Sequence, residues 1–308
     1  MKHFTTTTGL VLAVFMLAST LVYGETDIAQ HLQDVSVTIK ASGEFGGGSE
    51  GSGVLITREV KLTNDGLEAV TINFVWTAAH VVDGLRSTRM IIGANGQKRT
   101  VVEFRDAQIV KELVEEGRTV GEFKMHAKVI LYSDSEEGHD LALLMVRKRS
   151  FVSANAEFQL GETPVAIGTR LVHVGSLLGQ AGANSMTDGI MSQIGRVLQL
   201  GSGDGTIFDQ TTVNAFPGSS GGGVFLTNGK YVGMLVRGAG ETFNLVVPVR
   251  RMQEWAKERD IAWALDAKAA VPCLADLYKL KIEDEELGKN NDRSDDSKKF
   301  DFAIYEQE

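Results

Sequence analysis

Short apolar runs broken by Gly, Asn, Asp and Ser recur along most of this chain, and each reads as a β-strand. They are VSVTIKA (35–41), GVLITR (53–58), AVTINFVWTA (69–78), KVILYS (128–133), LALLMVRK (141–148), RLVHVGS (170–176), GVFLT (223–227), YVGMLVRG (231–238) and FNLVVPV (243–249). No strand–helix–strand alternation appears, which argues against a doubly wound α/β fold. Many short strands in a chain of this length predict barrels or a sandwich. The stretch 57–73 reads as an extended hairpin turning at Asn64-Asp65-Gly66.

Two segments carry helical spacing instead. DAQIVKELVEEG (106–117) places Ile109, Leu113 and Val114 on one face, so an amphipathic helix in a surface insertion (99–127) is expected. RRMQEWAKERDIAWAL (250–265) follows Pro248, with Met252, Trp255, Ala256 and Ile261 as its apolar stripe. At the start, Lys2 and His3 precede the apolar stretch Gly9–Gly24, with Val22 and Gly24 before Glu25. That pattern reads as an export signal over residues 1–24, cleaved to give a periplasmic or secreted product with no stable membrane insertion. An uncleaved anchor is the alternative, but the apolar run is short for a span of ~20 residues. From about Ile282 the chain turns acidic, with ten acidic and four basic residues to its end, and 267–308 reads as a disordered tail.

Composition narrows the possibilities. The chain has 308 residues and a formal net charge of -9, with no basic run, which argues against a nucleic-acid partner. The single cysteine, Cys273, leaves no internal disulfide, so packing alone must hold an exported product together. There is no HExxH and no paired-cysteine pattern, so neither metal nor cofactor is implied. His139 is read as a neighbour of Asp140, not as a metal ligand. The glycine-rich GEFGGGSEGSG (43–53) lacks the Gly-Lys-Ser/Thr ending of a phosphate loop and is read as a loop between early strands.

The candidate chemistry centres on FPGSSGGGVF (216–225). A serine becomes a useful nucleophile when a histidine takes its proton and a carboxylate orients that histidine. Neighbouring glycines let backbone N–H groups reach the oxyanion. Of the six histidines, His80 sits in a special context, TAAHVV, at the end of the run INFVW. A histidine at a strand edge, satisfied by a local carbonyl, fits that position equally well. Asp140 opens the buried-looking run LALLMV. It is either a carboxylate with a buried partner or a solvated turn residue.

The order WTAAH, HDLALL, PGSSGG resembles the three active-site motifs of chymotrypsin-fold serine proteases. SGVLI, DGIMSQIGR (188–196) and VGMLVRG followed by FNLVVPV are similar to segments of the HtrA/Deg branch. The resemblance covers about 35–265. It implies an all-β fold of two six-stranded antiparallel Greek-key barrels with a C-terminal helix. The barrels would span 25–150 and 151–266, with no PDZ domain following. It implies a serine endopeptidase acting on protein or peptide substrates through an acyl-enzyme, with His80 as base, Asp140 as its orienter and Ser220 as nucleophile. The oxyanion hole would be drawn from Gly218, Ser219 and Ser220. Asn214, Ala215, Leu235, Val236, Gly238 and Ala239 would line the substrate pocket, which is expected to take apolar side chains. A non-catalytic peptide binder retaining the fold and an esterase using the same triad are the rivals.

Overall fold

In this computed structural model the described residues are 23–42, 48–92, 96, 98–115, 117–199, 205–238, 242–280 and 282. The expected leader lies outside them except for its last two residues, which open the first helix, α1 (Tyr23–Asp34). No helix among the described residues is long and apolar enough to cross a membrane.

The chain then forms β1 (Ser36–Ser42), β2 (Gly48–Lys61), β3 (Ala69–Thr77), α2 (Ala79–Val82), β4 (Arg86–Ile92), β5 (Lys98–Phe104), β6 (Ala107–Glu115), β7 (Arg118–Ser133) and β8 (Leu141–Val146). Its second half forms β9 (Arg170–Gly175), β10 (Ser185–Leu198), β11 (Thr206–Thr211), β12 (Gly223–Leu226), β13 (Tyr231–Gly238), β14 (Asn244–Pro248), α3 (Val249–Glu258) and α4 (Leu274–Leu277).

Twelve of these strands close into two barrels, in the orders β1-β2-β3-β8-β7-β6 and β10-β11-β14-β13-β12-β9. Both barrels place their six strands in the same cyclic order, with the third beside the sixth, as a Greek key requires. The inward positions of the first barrel carry Ile39, Leu55, Val75 and Leu144, all fully buried. Closure gives each of these strands a partner on both sides along at least part of its length. The hairpin between β2 and β3 turns where expected, with Gly66 N–H donating to Thr63 O at 3.2 Å. The glycine-rich stretch is a strand from Gly48 onward, paired with β1, and not a loop.

The expected helix at 106–117 is β6. Its apolar residues fit a helical period and a strand about equally well, and the barrel decides between them. β6 pairs with β1 through Ile39↔Ile109 and with β7 through Ile109↔Met125, so without it the first barrel stays open. The segment that does stand off the barrel is the two-stranded sheet of β4 and β5.

The C-terminal helix ends at Glu258, earlier than its periodicity predicts, and Ile261 reaches the core from the turn that follows. Met252, Trp255 and Ala256 are buried. Trp255 meets Trp76 edge-on at 5.9 Å, Trp263 lies 4.8 Å from Phe74, and Trp76 Nε1 donates to Ala264 O at 2.9 Å. The helix follows the second barrel in sequence but packs on the first, and so straps the two together. The chain beyond 266 is also structured at its start. Cys273, Leu274 and Leu277 are buried, and Asp276 accepts from Asn64 at 3.0 Å. The tail expected to begin at 267 therefore has an ordered first part through Leu280, and residues 283–308 lie outside the described residues.

Candidate active site

β3 and β8 are antiparallel neighbours, with Thr77 opposite Ala142. The end of one therefore lies beside the start of the other. His80, in the short helix leaving β3, meets Asp140, the residue that opens β8. His80 Nδ1 lies 3.0 Å from both carboxylate oxygens, and its backbone N–H donates to Oδ1 at 3.2 Å. Asp140 is 1% exposed, while a third of the His80 side chain faces solvent. A carboxylate held against Nδ1 leaves Nε2 as the nitrogen free to take a proton. Asp140 has φ 53°, a left-handed conformation that aspartate tolerates better than most residues.

The serine loop is built from the other barrel. Phe216-Pro217-Gly218-Ser219 forms a turn in which Ser219 N–H donates to Phe216 O at 2.9 Å. Proline presets the second position, and Gly218 takes φ 96° at the third, where a side chain would run into Ser176 and Gly179. Leu178 N–H donates to Pro217 O at 2.7 Å. The peptide is trans, so the Gly218 N–H points away from Leu178. Among the described residues neither Gly218 N–H nor Ser220 N–H has an acceptor. Ser219 N–H is committed to the turn, so the expected oxyanion-hole contribution of Ser219 is corrected. Gly221, at φ 87°, lies against Ser52, Thr77 and Ala78, which brings Ser220 to the strand end that carries His80.

In this conformer the Ser220 hydroxyl donates to Val236 O at 3.2 Å. No hydrogen bond joins it to His80 among the described residues.

Beside Ser220 opens a groove of about 600 Å³. Asn214, Ala215, Leu235, Val236 and Gly238 line it, and Ala239 lies outside the described residues. Phe216 and Pro217 also line it, and the sequence reading missed them. Their signal was the Pro-Gly turn pair directly before the two serines. Arg237 belongs to the rim, but its guanidinium turns to Ser135 O at 3.1 Å. A register shift between Leu235 and Arg237 interrupts simple alternation there.

Two further histidines border the site. His173 is fully buried, donates through Nδ1 to Gly223 O at 3.0 Å, and is pushed down to about 4 by burial against the opposing pull of that hydrogen bond. His139 is also pushed down to about 4, first by burial and then by Arg251 and Arg259. No group of three or more metal-ligating side chains occurs among the described residues.

The sequence matches the family described as "Trypsin-like peptidase domain" over residues 51–234, more than half of the chain. The chain belongs to that family. The match takes in His80, Asp140 and Ser220, so all three lie within the trypsin-like peptidase domain itself. Among solved structures the domain is similar to the HtrA-type protease AlgW, solved with a tripeptide, at 17% identity and a TM-score of 0.52. That likeness covers 78% of this chain but 64% of the AlgW chain, just under two thirds of its length. It is also similar to a serine endoprotease from Yersinia pestis, at 15% identity and a TM-score of 0.52, covering 78% of this chain and 68% of the other. At such identities the likeness carries the trypsin-like fold alone. A comparison with curated proteins finds no match.

Proposed function

We propose that this trypsin-like domain is a serine endopeptidase. The observation that carries the reading is the buried Asp140 carboxylate held against His80 Nδ1, beside the groove that Ser220 lines. In this reading Ser220 Oγ passes its proton to His80 Nε2 and attacks a peptide carbonyl. The N–H groups of Gly218 and Ser220 receive the oxyanion. One such donor is worth roughly 3–4 kcal/mol, or ~10²–10³ in turnover. His80 then gives the proton to the leaving amine, and the acyl-enzyme forms on Ser220. Water, deprotonated by the same imidazole, attacks the ester carbon and releases the acid. Asp140 keeps the imidazole in the required tautomer throughout.

The substrate is an extended peptide. Arg237 and Gly238 pair with β14 on one side, and strand addition on the other would bind main chain regardless of sequence. The product acts after export, following removal of residues 1–24.

The Ser220–Val236 hydrogen bond favours a second reading, a peptide binder that kept the fold without the reaction. A fluorophosphonate probe separates the two. Covalent labelling at Ser220, lost in Ser220→Ala, is the expected result. A folded protein that remains unlabelled and still binds peptides would establish the binder.

A further inference from the structure

The loop that delivers Asp140 is gripped by two arginines from the second half of the chain. Arg237, on β13 beside the groove, donates to Ser135 O at 3.1 Å. Arg251, in the first turn of α3, donates through one Nη to Gly138 O at 3.2 Å and through the other to Ile207 O at 3.3 Å. Its guanidinium also lies 4.9 Å from the centre of the Phe208 ring.

Arg251 is 5% exposed. A buried cation is unfavourable unless it is compensated. The first turn of a helix is the wrong end for a positive charge. Its hydrogen-bond acceptors are both neutral carbonyls, and no carboxylate forms an ion pair with it among the described residues. Burial draws its guanidinium down to about 10, and Asp140 and then Glu254 draw it back up. Arg251 thus holds the backbone two residues before Asp140, and Asp140 and Glu254 are the carboxylates that act on its charge. The dependence is mutual, because Asp140 is itself buried.

We propose that Arg251 is a positioning residue for the reaction: it anchors the Asp140 loop through Gly138 and partly offsets the carboxylate's charge as His80 experiences it. The inference rests on the triad reading. The charged and titratable groups around this loop are His80 from α2, Asp134, Glu136, Glu137 and His139 within the loop, Glu254 and Glu258 from α3, Arg259 just beyond it, and Arg237 from β13. Arg251 differs from the others in combining deep burial, a bond to the loop backbone and coupling to Asp140.

The test compares full-length protein with Arg251→Met, Arg251→Gln and Arg251→Lys. The first readout is the titration of the His80 imidazole by NMR, with its signal assigned by its loss in His80→Gln. Without the cation, Asp140 attracts the imidazole proton more strongly. The midpoint should move upward in Arg251→Met and stay near the wild-type position in Arg251→Lys. Arg251→Gln keeps a donor for Gly138 O, so it carries the same expectation as Arg251→Met and decides the matter if that variant does not fold. The second readout is the rate of fluorophosphonate labelling at saturating pH, expected to fall about tenfold in Arg251→Met and less in Arg251→Lys. A wild-type midpoint in the folded neutral variants would overturn the proposal, even if they label slowly, because Arg251 would then be a strut alone. A wild-type protein that never labels would count against the peptidase reading, while the NMR midpoints would still decide the role of Arg251.

Discussion

The Ser52 hydroxyl, on β2 of the first barrel, donates to the Gly218 carbonyl, in the serine loop of the second, at 2.7 Å. The same oxygen accepts from Ser176 N–H at 2.7 Å, and the Ser52 backbone N–H donates to Ser220 O at 2.7 Å. One residue of the first barrel thus holds the carbonyls on both sides of Ser219. Gly218 and Ser220, whose N–H groups are proposed as the oxyanion hole, are both tethered by it.

Ser52→Ala should lower kcat by about tenfold or more while changing KM little, because aligned oxyanion donors act chiefly in the transition state. It should also cost about 1–2 kcal/mol of stability, since the Ser176 N–H loses its buried acceptor. Steady-state kinetics with a peptide substrate, alongside denaturant melts, check both. An unchanged kcat would show that the loop holds its shape without the hydroxyl.

Ser219 and Ser220 should separate cleanly. Ser219 is buried, and its hydroxyl accepts from Phe216 N–H at 3.1 Å, so Ser219→Ala should lose about 1 kcal/mol of stability and keep most of its activity. Ser220→Ala should fold normally and lose probe labelling. The reverse pattern would move the nucleophile to Ser219.

Stability should fall on acidification because His173 is buried in its neutral form. Its native value of about 4 lies below the ordinary 6.5. The unfolded chain therefore binds the proton first as pH drops. The native state has its full advantage above pH 6.5, loses it progressively towards pH 4, and loses up to about 3 kcal/mol in all. His173→Gln, which cannot titrate, should flatten the dependence of melting temperature on pH over that window. A slope equal to wild type would remove His173 from the account.

The groove predicts cleavage after apolar residues. Ala215, Phe216, Pro217, Leu235 and Val236 are half of the ten residues that line it, and the guanidinium of Arg237 is drawn away to Ser135. A peptide library varied at the residue before the cut should show preference for Leu, Met or Phe. A side chain added at Gly238 would meet the Asn244 amide, so Gly238→Val should displace the wall, narrow the groove and shift preference towards Ala or Val. Predominant cleavage after Lys, Arg, Asp or Glu would overturn this.

The ordered part of the C-terminal segment should be structural. Truncation before Val271 removes the buried Leu274 and Leu277 and should cost several kcal/mol, at ~1.5–3 for each such side chain. Truncation after Ile282 leaves all the described packing in place and should melt within about a degree of full length. Equal melting temperatures for the two truncations would mean that α4 contributes nothing.

Much of this architecture was legible in local sequence. Nine apolar runs became strands because alternation and β-branched residues act within a few positions. The ordered motifs around His80, Asp140 and Ser220 pointed to one site because each is short and contiguous. What local sequence could not supply was closure. Ile109, Leu113 and Val114 fit a helix as well as a strand, and β6 is a strand because β1 and β7 leave a gap that only an extended segment fills. The same limit applies to the site. Ser52 reaches Gly218 across 166 residues of chain, and Arg251 reaches Gly138 across 113. No periodicity or motif encodes a hydrogen bond over such separations. The chemical groups are written in the chain, but their partners are chosen when two barrels and a closing helix bring distant backbone carbonyls within reach.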